Sequence, residues 1–437
     1  MPDATHGSPA LPVVVIGAGP VGLAAAAHLL ARGMTPLVLE AGAAAAASVR
    51  HWGHVRMFSP WRFNVDGVAR AMLERHGWAA PDPDGYPTGA ELVARYLQPL
   101  AALPEIGLRL GARVVGVSRR GHDLMRDDGR ALAPFIVQVA RDGDITEIAA
   151  QAVLDCSGTW GRPNPAGAHG LAVPGEAAAP VAYGIPDVLG RDRAHYAGRS
   201  VLVVGSGHSA MNAVLELAAR PERGELLWAF RRPVSAATFG GGAADGLAER
   251  GALGARAQAL AAGGAVRMLA PFAIGSMATL PDGRVRVTAG DGQAVTVERV
   301  IVAAGFRPDL SFLSELRLGL DPAVQSTPAL APLIDPNIHS CGTVRPHGEA
   351  ELRHPEPNFW IAGMKSYGRA PTFLMTTGHE QVRSIAAALA GDWAAAREVR
   401  LELPETGVCS GAPAAAASAG SCCAPTPALV VTKCCGG

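Results

Sequence analysis

The stretch VVVIGAGPVGLAAAAHLLARGMTPLVLE, residues 13–40, decides the fold. Four β-branched residues run into Gly17-Ala18-Gly19-Pro20-Val21-Gly22, and an alanine- and leucine-rich helical segment follows. Gly33 ends that helix, and a second apolar strand, residues 37–39, ends in Glu40. Each glycine of the turn has a physical reason. Gly17 permits the tight turn, Gly19 lets a pyrophosphate approach the backbone, and Gly22 lets helix and strand pack closely. The helix start offers unpaired N–H groups and a positive dipole end to phosphate. Glu40, 18 residues beyond Gly22, is placed to accept hydrogen bonds from ribose hydroxyls. A strand before the glycines, a helix after them and an acid closing the second strand make a dinucleotide site. A glycine-rich turn of some other α/β protein is the weaker reading.

The pattern recurs in GRSVLVVGSGHSAMNAVLELAARPERGELLWAFRRP, residues 198–233. The strand is residues 201–204, and the turn is Gly205-Ser206-Gly207-His208-Ser209-Ala210, with alanine as the third small residue. Its second strand, residues 226–230, ends in Arg231-Arg232 instead of an acid. An acid there repels a 2′-phosphate, whereas an arginine pair forms charge-assisted hydrogen bonds to it. The bland alternative is a solvated surface pair. One unit ending in Glu and one ending in Arg imply two different dinucleotides, FAD on the first and NADPH on the second.

Two apolar strands ending in glycine, residues 152–158 with Gly158 and 299–305 with Gly305, look like crossings between an FAD domain and an inserted NADPH domain. The expected fold class is α/β with two Rossmann-type dinucleotide-binding domains and a flexible cysteine-rich tail. The FAD domain spans residues 10–162 and 299–395, the NADPH domain 163–298 and the tail 404–437. Near the end of the second FAD segment a short strand precedes Gly363, and a helix begins near Thr377. A helix start aimed inward can hold the electron-rich edge of a reduced flavin. Thr377 is compatible both with that contact and with capping the helix.

At 437 residues the chain is long enough for roughly two to four domains. Charged residues make up 17% and balance to zero, so there is no nucleic-acid footprint and no basic membrane-surface patch. Residues 11–31 are apolar enough to imitate a membrane span, but their glycines and prolines point to strand, turn and buried helix. The start MPDATHGSPA lacks the basic region of a signal peptide. Two cysteines in the first 400 residues make no secreted disulfide framework, so a cytoplasmic setting is expected.

Together GAGPVG with Glu40, DCSGTWGRPNPAG (155–167), GSGHSA (205–210) and VAAGFRPD (302–309) resemble the flavin-containing monooxygenases and their relatives. The likeness covers about residues 10–395 and includes YPTGAELVARYLQPLA, residues 86–101. Within that group, GIPDVLG (184–190), GHSAMN (207–212) and SYGRAPTFL (366–374) are similar to flavoproteins encoded beside arsenic-resistance genes. The resemblance implies that NADPH reduces FAD, that molecular oxygen reacts with the reduced flavin, and that one oxygen atom passes to a soft nucleophile. Two family features are absent. The signature F-x-G-x-x-x-H has Val188 at its last position, and HWGHVRMFSPWRFN (51–64) has no clear counterpart of the flavin-contacting asparagine. Arg56, Ser59 and Trp61 in that stretch are candidates for the flavin-facing wall; a packed loop with no chemical role is the equal alternative.

A disulfide reductase of the usual kind needs a redox cysteine pair beside the flavin, and the chain has no C-x-x-C or C-x4-C. Cys156 and Cys341 are isolated and read as buried small side chains. The remaining five cysteines, Cys409, Cys422, Cys423, Cys434 and Cys435, lie in the alanine-, glycine- and proline-rich tail. Their spacing is a poor match to a zinc site, whereas vicinal thiolates suit soft ions such as trivalent arsenic. The tail is long enough to reach the flavin face of its own subunit or of a partner in a homodimer. Three readings follow. The first is a flavin monooxygenase acting on arsenite, an organoarsenical or another soft metal(loid). The second is an NADPH-driven reductase whose tail is the dithiol. The third is a metalloid-binding flavoprotein without turnover.

Overall fold

The computed structural model describes residues 10–338, 344–371 and 373–401. Among them two five-stranded parallel sheets form the frame. The first runs Phe359–Ile361, Ala152–Asp155, Val13–Ile16, Pro36–Leu39, Leu108–Arg109. The second runs Arg267–Leu269, Leu226–Ala229, Val201–Val204, Arg299–Val302, Val181–Tyr183. Each is accompanied by a three-stranded antiparallel sheet, Arg113–Arg119 to Asp144–Ala150 and Ile274–Thr279 to Ala294–Val297.

The two dinucleotide strands, VVVI and VLVV, are buried at every residue. That is the reason they are unbroken apolar runs: parallel strands covered on both faces have no solvent side for polar residues. Each lies between two neighbours, and each feeds a helix, Pro20–Leu30 or His208–Ala218. Residues 24–27 of the first helix are four alanines with no exposed surface, which lets the helix lie close to both its sheet and the later helix Met375–Leu389. The membrane-like run of residues 11–31 is therefore strand, turn and core helix, as its glycines foretold. No helix among the described residues is long and apolar enough to cross a membrane.

One expectation needs correction. Arg299–Val302 does not reopen the first unit; it pairs with Val201–Val204 and Val181–Tyr183 in the second sheet. An apolar strand ending in glycine reads the same whichever sheet receives it. The crossing back falls after Val302, and Leu313 and Leu316 are already in the core beneath the first sheet. The two crossings are zipped together. Asn164 N–H donates to the Gly305 carbonyl at 2.9 Å, Arg307 N–H to the Arg162 carbonyl at 2.9 Å, and Trp160 stacks on Phe306 with centroids 4.7 Å apart.

Candidate functional site

The first glycine turn is built for a phosphate-bearing ligand, and each glycine can be tested by the methyl group it lacks. At Gly17, with φ +98°, a Cβ would stand 2.9 Å from the Cys156 carbonyl oxygen. At Gly22 it would overlap the carbonyl oxygen of Gly17. Gly19 is different, because nothing lies within 4 Å of its missing Cβ. Gly17 and Gly22 serve the packing; Gly19 keeps a space open. Gly19 is also the N-cap of the helix, and no side chain caps that end. The first N–H groups are thus left for a ligand. Glu40 is fixed at the rim, accepting from Ala18 N–H at 2.9 Å and Gly42 N–H at 2.7 Å.

The second turn repeats the arrangement. A Cβ on Gly205 (φ +126°) would overlap the Ala303 carbonyl, Gly207 has nothing within 4 Å, and the helix start again has no side-chain cap. Ala210 stands where the first turn has Gly22 and is fully buried, so this turn has room for one methyl group. Ser206 is exposed, Ser209 and His208 are partly buried, and Arg231 and Arg232 are exposed just beyond the strand. That position suits a 2′-phosphate.

Three elements of the first site meet on one side chain that sequence reasoning missed. Val21, in the first turn of helix Pro20–Leu30, is gripped by two glycines from far along the chain. A Cβ on Gly363 (φ +75°) would come within 3.2 Å of it, and one on Gly378 within 2.5 Å. Gly363 follows the strand Phe359–Ile361, and Gly378 lies in the first turn of helix Met375–Leu389. Thr377 is buried in that same turn, but the N-cap is Leu374 and no side chain caps the helix. The capping expectation for Thr377 is therefore corrected: the helix starts three residues too early for its hydroxyl to serve. Gly158 (φ +71°) has open space beside it, and Gly305 (φ +87°) sits against Asn164.

The loop of residues 51–64 divides its side chains differently from expectation. Ser59 donates to Asn64 Oδ1 at 2.8 Å within the loop and Trp61 is buried in the first core, so both serve packing. Arg56 is exposed and donates to the Tyr86 carbonyl at 2.6 Å. Phe58 reaches the second unit, 5.4 Å from the His208 ring, and His51 lies edge-on to Trp160 of the first crossing at 6.3 Å. Val188, at the place of the family histidine, is fully buried in the second core.

Cys156 is free and buried, and burial pushes its thiol well above the usual range. A protonated, enclosed thiol is no nucleophile. No cluster of His, Cys, Asp and Glu among the described residues could hold a metal ion. Cys341 and the five tail cysteines, Cys409, Cys422, Cys423, Cys434 and Cys435, lie outside the described residues.

Residues 14–228 match the family described as pyridine nucleotide-disulphide oxidoreductase. The chain is an FAD- and NAD(P)H-binding oxidoreductase. Among solved structures it is similar to a bacillithiol disulfide reductase from Bacillus cereus, at 20% identity and a TM-score of 0.66, over 87% of this chain and 99% of that one. It is similar to a flavin-containing monooxygenase from Stenotrophomonas maltophilia at 22% identity and a TM-score of 0.55, over 87% and 98%. A cadaverine monooxygenase from Erwinia amylovora, bound to FAD, aligns at 14% identity and a TM-score of 0.59, over 91% and 99%. No curated protein matches. Identities this low establish the shared fold, and both reductases and monooxygenases are built on it.

Buried and half-buried histidines give this oxidoreductase a directional response to acid. Burial is the largest cause in each case: it lowers His354 from 6.5 to about 4, and it also depresses His54, His208, His347 and His379. The unfolded chain takes up protons below pH 6.5 that the folded chain refuses. Stability from these groups is present above that pH and lost as pH falls toward about 4. Glu216 acts in the opposite sense, since burial and then Asp187 raise it from 4.5 to about 7. Its contribution is present below 4.5 and lost as pH rises through 7. Urea midpoints are expected to fall between about pH 7 and about pH 5, and less steeply in His354→Phe, which keeps a ring against Phe359.

Proposed function

We propose that the protein is an NADPH-dependent flavin monooxygenase that oxygenates a soft nucleophile, with arsenite or an organoarsenical as the substrate class. The observation that carries this reading is the pairing of two open, uncapped glycine turns on one chain with no accessible thiol beside the first of them among the described residues. Gly17, Gly19, Gly22, Glu40 and Gly363 would hold FAD, which supplies two-electron chemistry when bound. Gly205, Gly207, Arg231 and Arg232 would hold NADPH. With no dithiol in the body to relay electrons, the flavin's partners are molecular oxygen and a substrate that meets it directly. The soft-ion substrate class is supported by the vicinal tail cysteines, whose polarizable thiolates favour such ions.

The NADPH preference has its own test. Arg231→Ser with Arg232→Ser removes charge-assisted bonding to the 2′-phosphate, about 1.5–3 kcal/mol for one such bond at this exposed site. KM for NADPH is expected to rise roughly tenfold to a hundredfold while KM for NADH stays put. An equal effect on both would make the arginines a solvated surface pair.

The five tail cysteines favour one second reading, in which they are themselves the dithiol that the flavin reduces. Replacing Cys422, Cys423, Cys434 and Cys435 with serine separates the two. Under the monooxygenase reading, NADPH oxidation survives and ion capture weakens. Under the reductase reading, turnover of disulfide or metal substrates is lost. The general test is whether arsenite or an organoarsenical accelerates NADPH oxidation by the purified flavoprotein and emerges oxygenated.

A further inference from the structure

Behind the turn that follows strand Phe359–Ile361 lies a closed ring of buried hydrogen bonds. Gly363 N–H donates to Gln381 Oε1 at 2.7 Å. Gln381 Nε2 donates to Ser366 Oγ at 2.9 Å and to His347 Nε2 at 2.9 Å. Ser366 Oγ in turn donates to the Gly363 carbonyl at 2.7 Å, which closes the ring. Ser366 also accepts, at its own carbonyl, the Ser326 hydroxyl at 2.7 Å. Gln381 has no exposed surface, His347 is 3% exposed and Ser366 4%.

The bonding fixes the chemistry of each member. His347 Nδ1 faces the Arg345 carbonyl at 3.1 Å, and a carbonyl can only accept, so Nδ1 carries the proton. In the neutral ring Nε2 is then an acceptor, and the group that faces it must be the Gln381 NH2. That in turn leaves Gln381 Oε1 for Gly363. The amide orientation is dictated by the imidazole. A second proton on His347 would set N–H against N–H and force the amide to flip, leaving Gly363 N–H facing a donor. The charged and titratable groups around the ring are Arg345 and Glu351 on its own segment and Glu380 on the long helix, with the Tyr367 phenol 5.6 Å away.

Location gives the ring its significance. It ties the Gly363 turn to the middle of helix Met375–Leu389, and Gly363 and the first turn of that helix are the two jaws that grip Val21. Val21 belongs to the glycine turn that receives FAD. We propose that Gln381 is a positioning residue for FAD, oriented by neutral His347 and holding the Gly363 turn at the spacing the cofactor requires. This rests on the assignment of FAD to the first glycine turn.

The experiment is a titration of full-length apoprotein with FAD, read by flavin fluorescence, beside the thermal midpoint of the same apoprotein. Gln381→Leu strands the Gly363 N–H and is expected to weaken FAD binding by roughly tenfold or more. Gln381→Glu keeps an acceptor for Gly363 but presents one to His347 as well, so it welcomes the second proton. Wild-type affinity should fall on acidification from about pH 7 to about pH 5, and that fall should be absent in Gln381→Glu. Wild-type FAD affinity in a folded Gln381→Leu protein would overturn the proposal, and so would the same pH profile in wild type and Gln381→Glu. Gly19→Ala, which does not touch the ring, is the control for the underlying assignment. Should it bind FAD as wild type does, the first turn is not the FAD site, and that failure is distinct from failure of the ring.

Discussion

Gly22→Ala is expected to yield protein that neither holds FAD nor folds with wild-type stability, whereas Gly19→Ala is expected to lose FAD alone. The contrast follows from what each added methyl group meets. At Gly22 it would overlap the Gly17 carbonyl oxygen, a backbone atom that cannot move without opening the turn. Overpacking of a rigid core site costs about 1–3 kcal/mol, and this one also breaks the cradle. At Gly19 the methyl group meets nothing within 4 Å and projects into the space left for the ligand. The apoprotein should therefore keep its thermal midpoint, within the ~0.5 kcal/mol typical of a surface change. The measurement is flavin content after purification, paired with the unfolding midpoint of each apoprotein. Equal stability of both variants would contradict this division of labour between the glycines.

Lys365→Met should destabilise the protein more than any other single change considered. Lys365 and Asp155 are both without exposed surface, and their charged groups meet at 2.5 Å. The ammonium also donates to Ser157 Oγ at 3.1 Å and lies 4.5 Å from the centre of the Phe312 ring. Asp155 in turn accepts from Ser157 N–H and Oγ at 3.0 and 2.6 Å. The pair joins the end of strand Ala152–Asp155 to the short helix Gly363–Tyr367 that follows the neighbouring strand Phe359–Ile361. Removing the lysine alone leaves a buried carboxylate without its counter-charge, at a cost of about 3–5 kcal/mol. Removing both charges, in Asp155→Asn with Lys365→Met, should recover most of that loss. Urea unfolding of the two single variants and the double variant checks this; additive losses would mean that the pair is not a coupled unit.

Much of the fold was legible because its signals are local. The run from Val13 to Glu40 carries strand, turn, helix and acid within one supersecondary unit, and the run from Val201 to Arg232 carries strand, turn, helix and an arginine pair. Even the replacement of Gly22 by Ala210 in the second turn has a visible steric counterpart. What failed was the part that depends on partners distant in sequence. Arg299–Val302 declares itself a buried strand but not which sheet it joins. Lys365 and Asp155 are 210 residues apart, and nothing near either one announces the other. Gln381 looks like an ordinary polar residue on a helix until the turn at Gly363 is brought against it. Ser59 and Trp61 carried site-like chemistry, yet their loop turns them inward.

In the proposed reaction NADPH on the second turn reduces FAD on the first, and oxygen, not a thiol pair, receives the electrons in the presence of a soft nucleophile. The direct measurement mixes purified protein with NADPH in the absence of oxygen, then admits isotopically labelled oxygen together with arsenite or an organoarsenical. The flavin is expected to bleach with NADPH and regain its colour with oxygen, and the product to carry one labelled oxygen atom. A flavin that bleaches and recovers while the candidate substrates remain unlabelled, or that recovers only through the tail thiols, would contradict it.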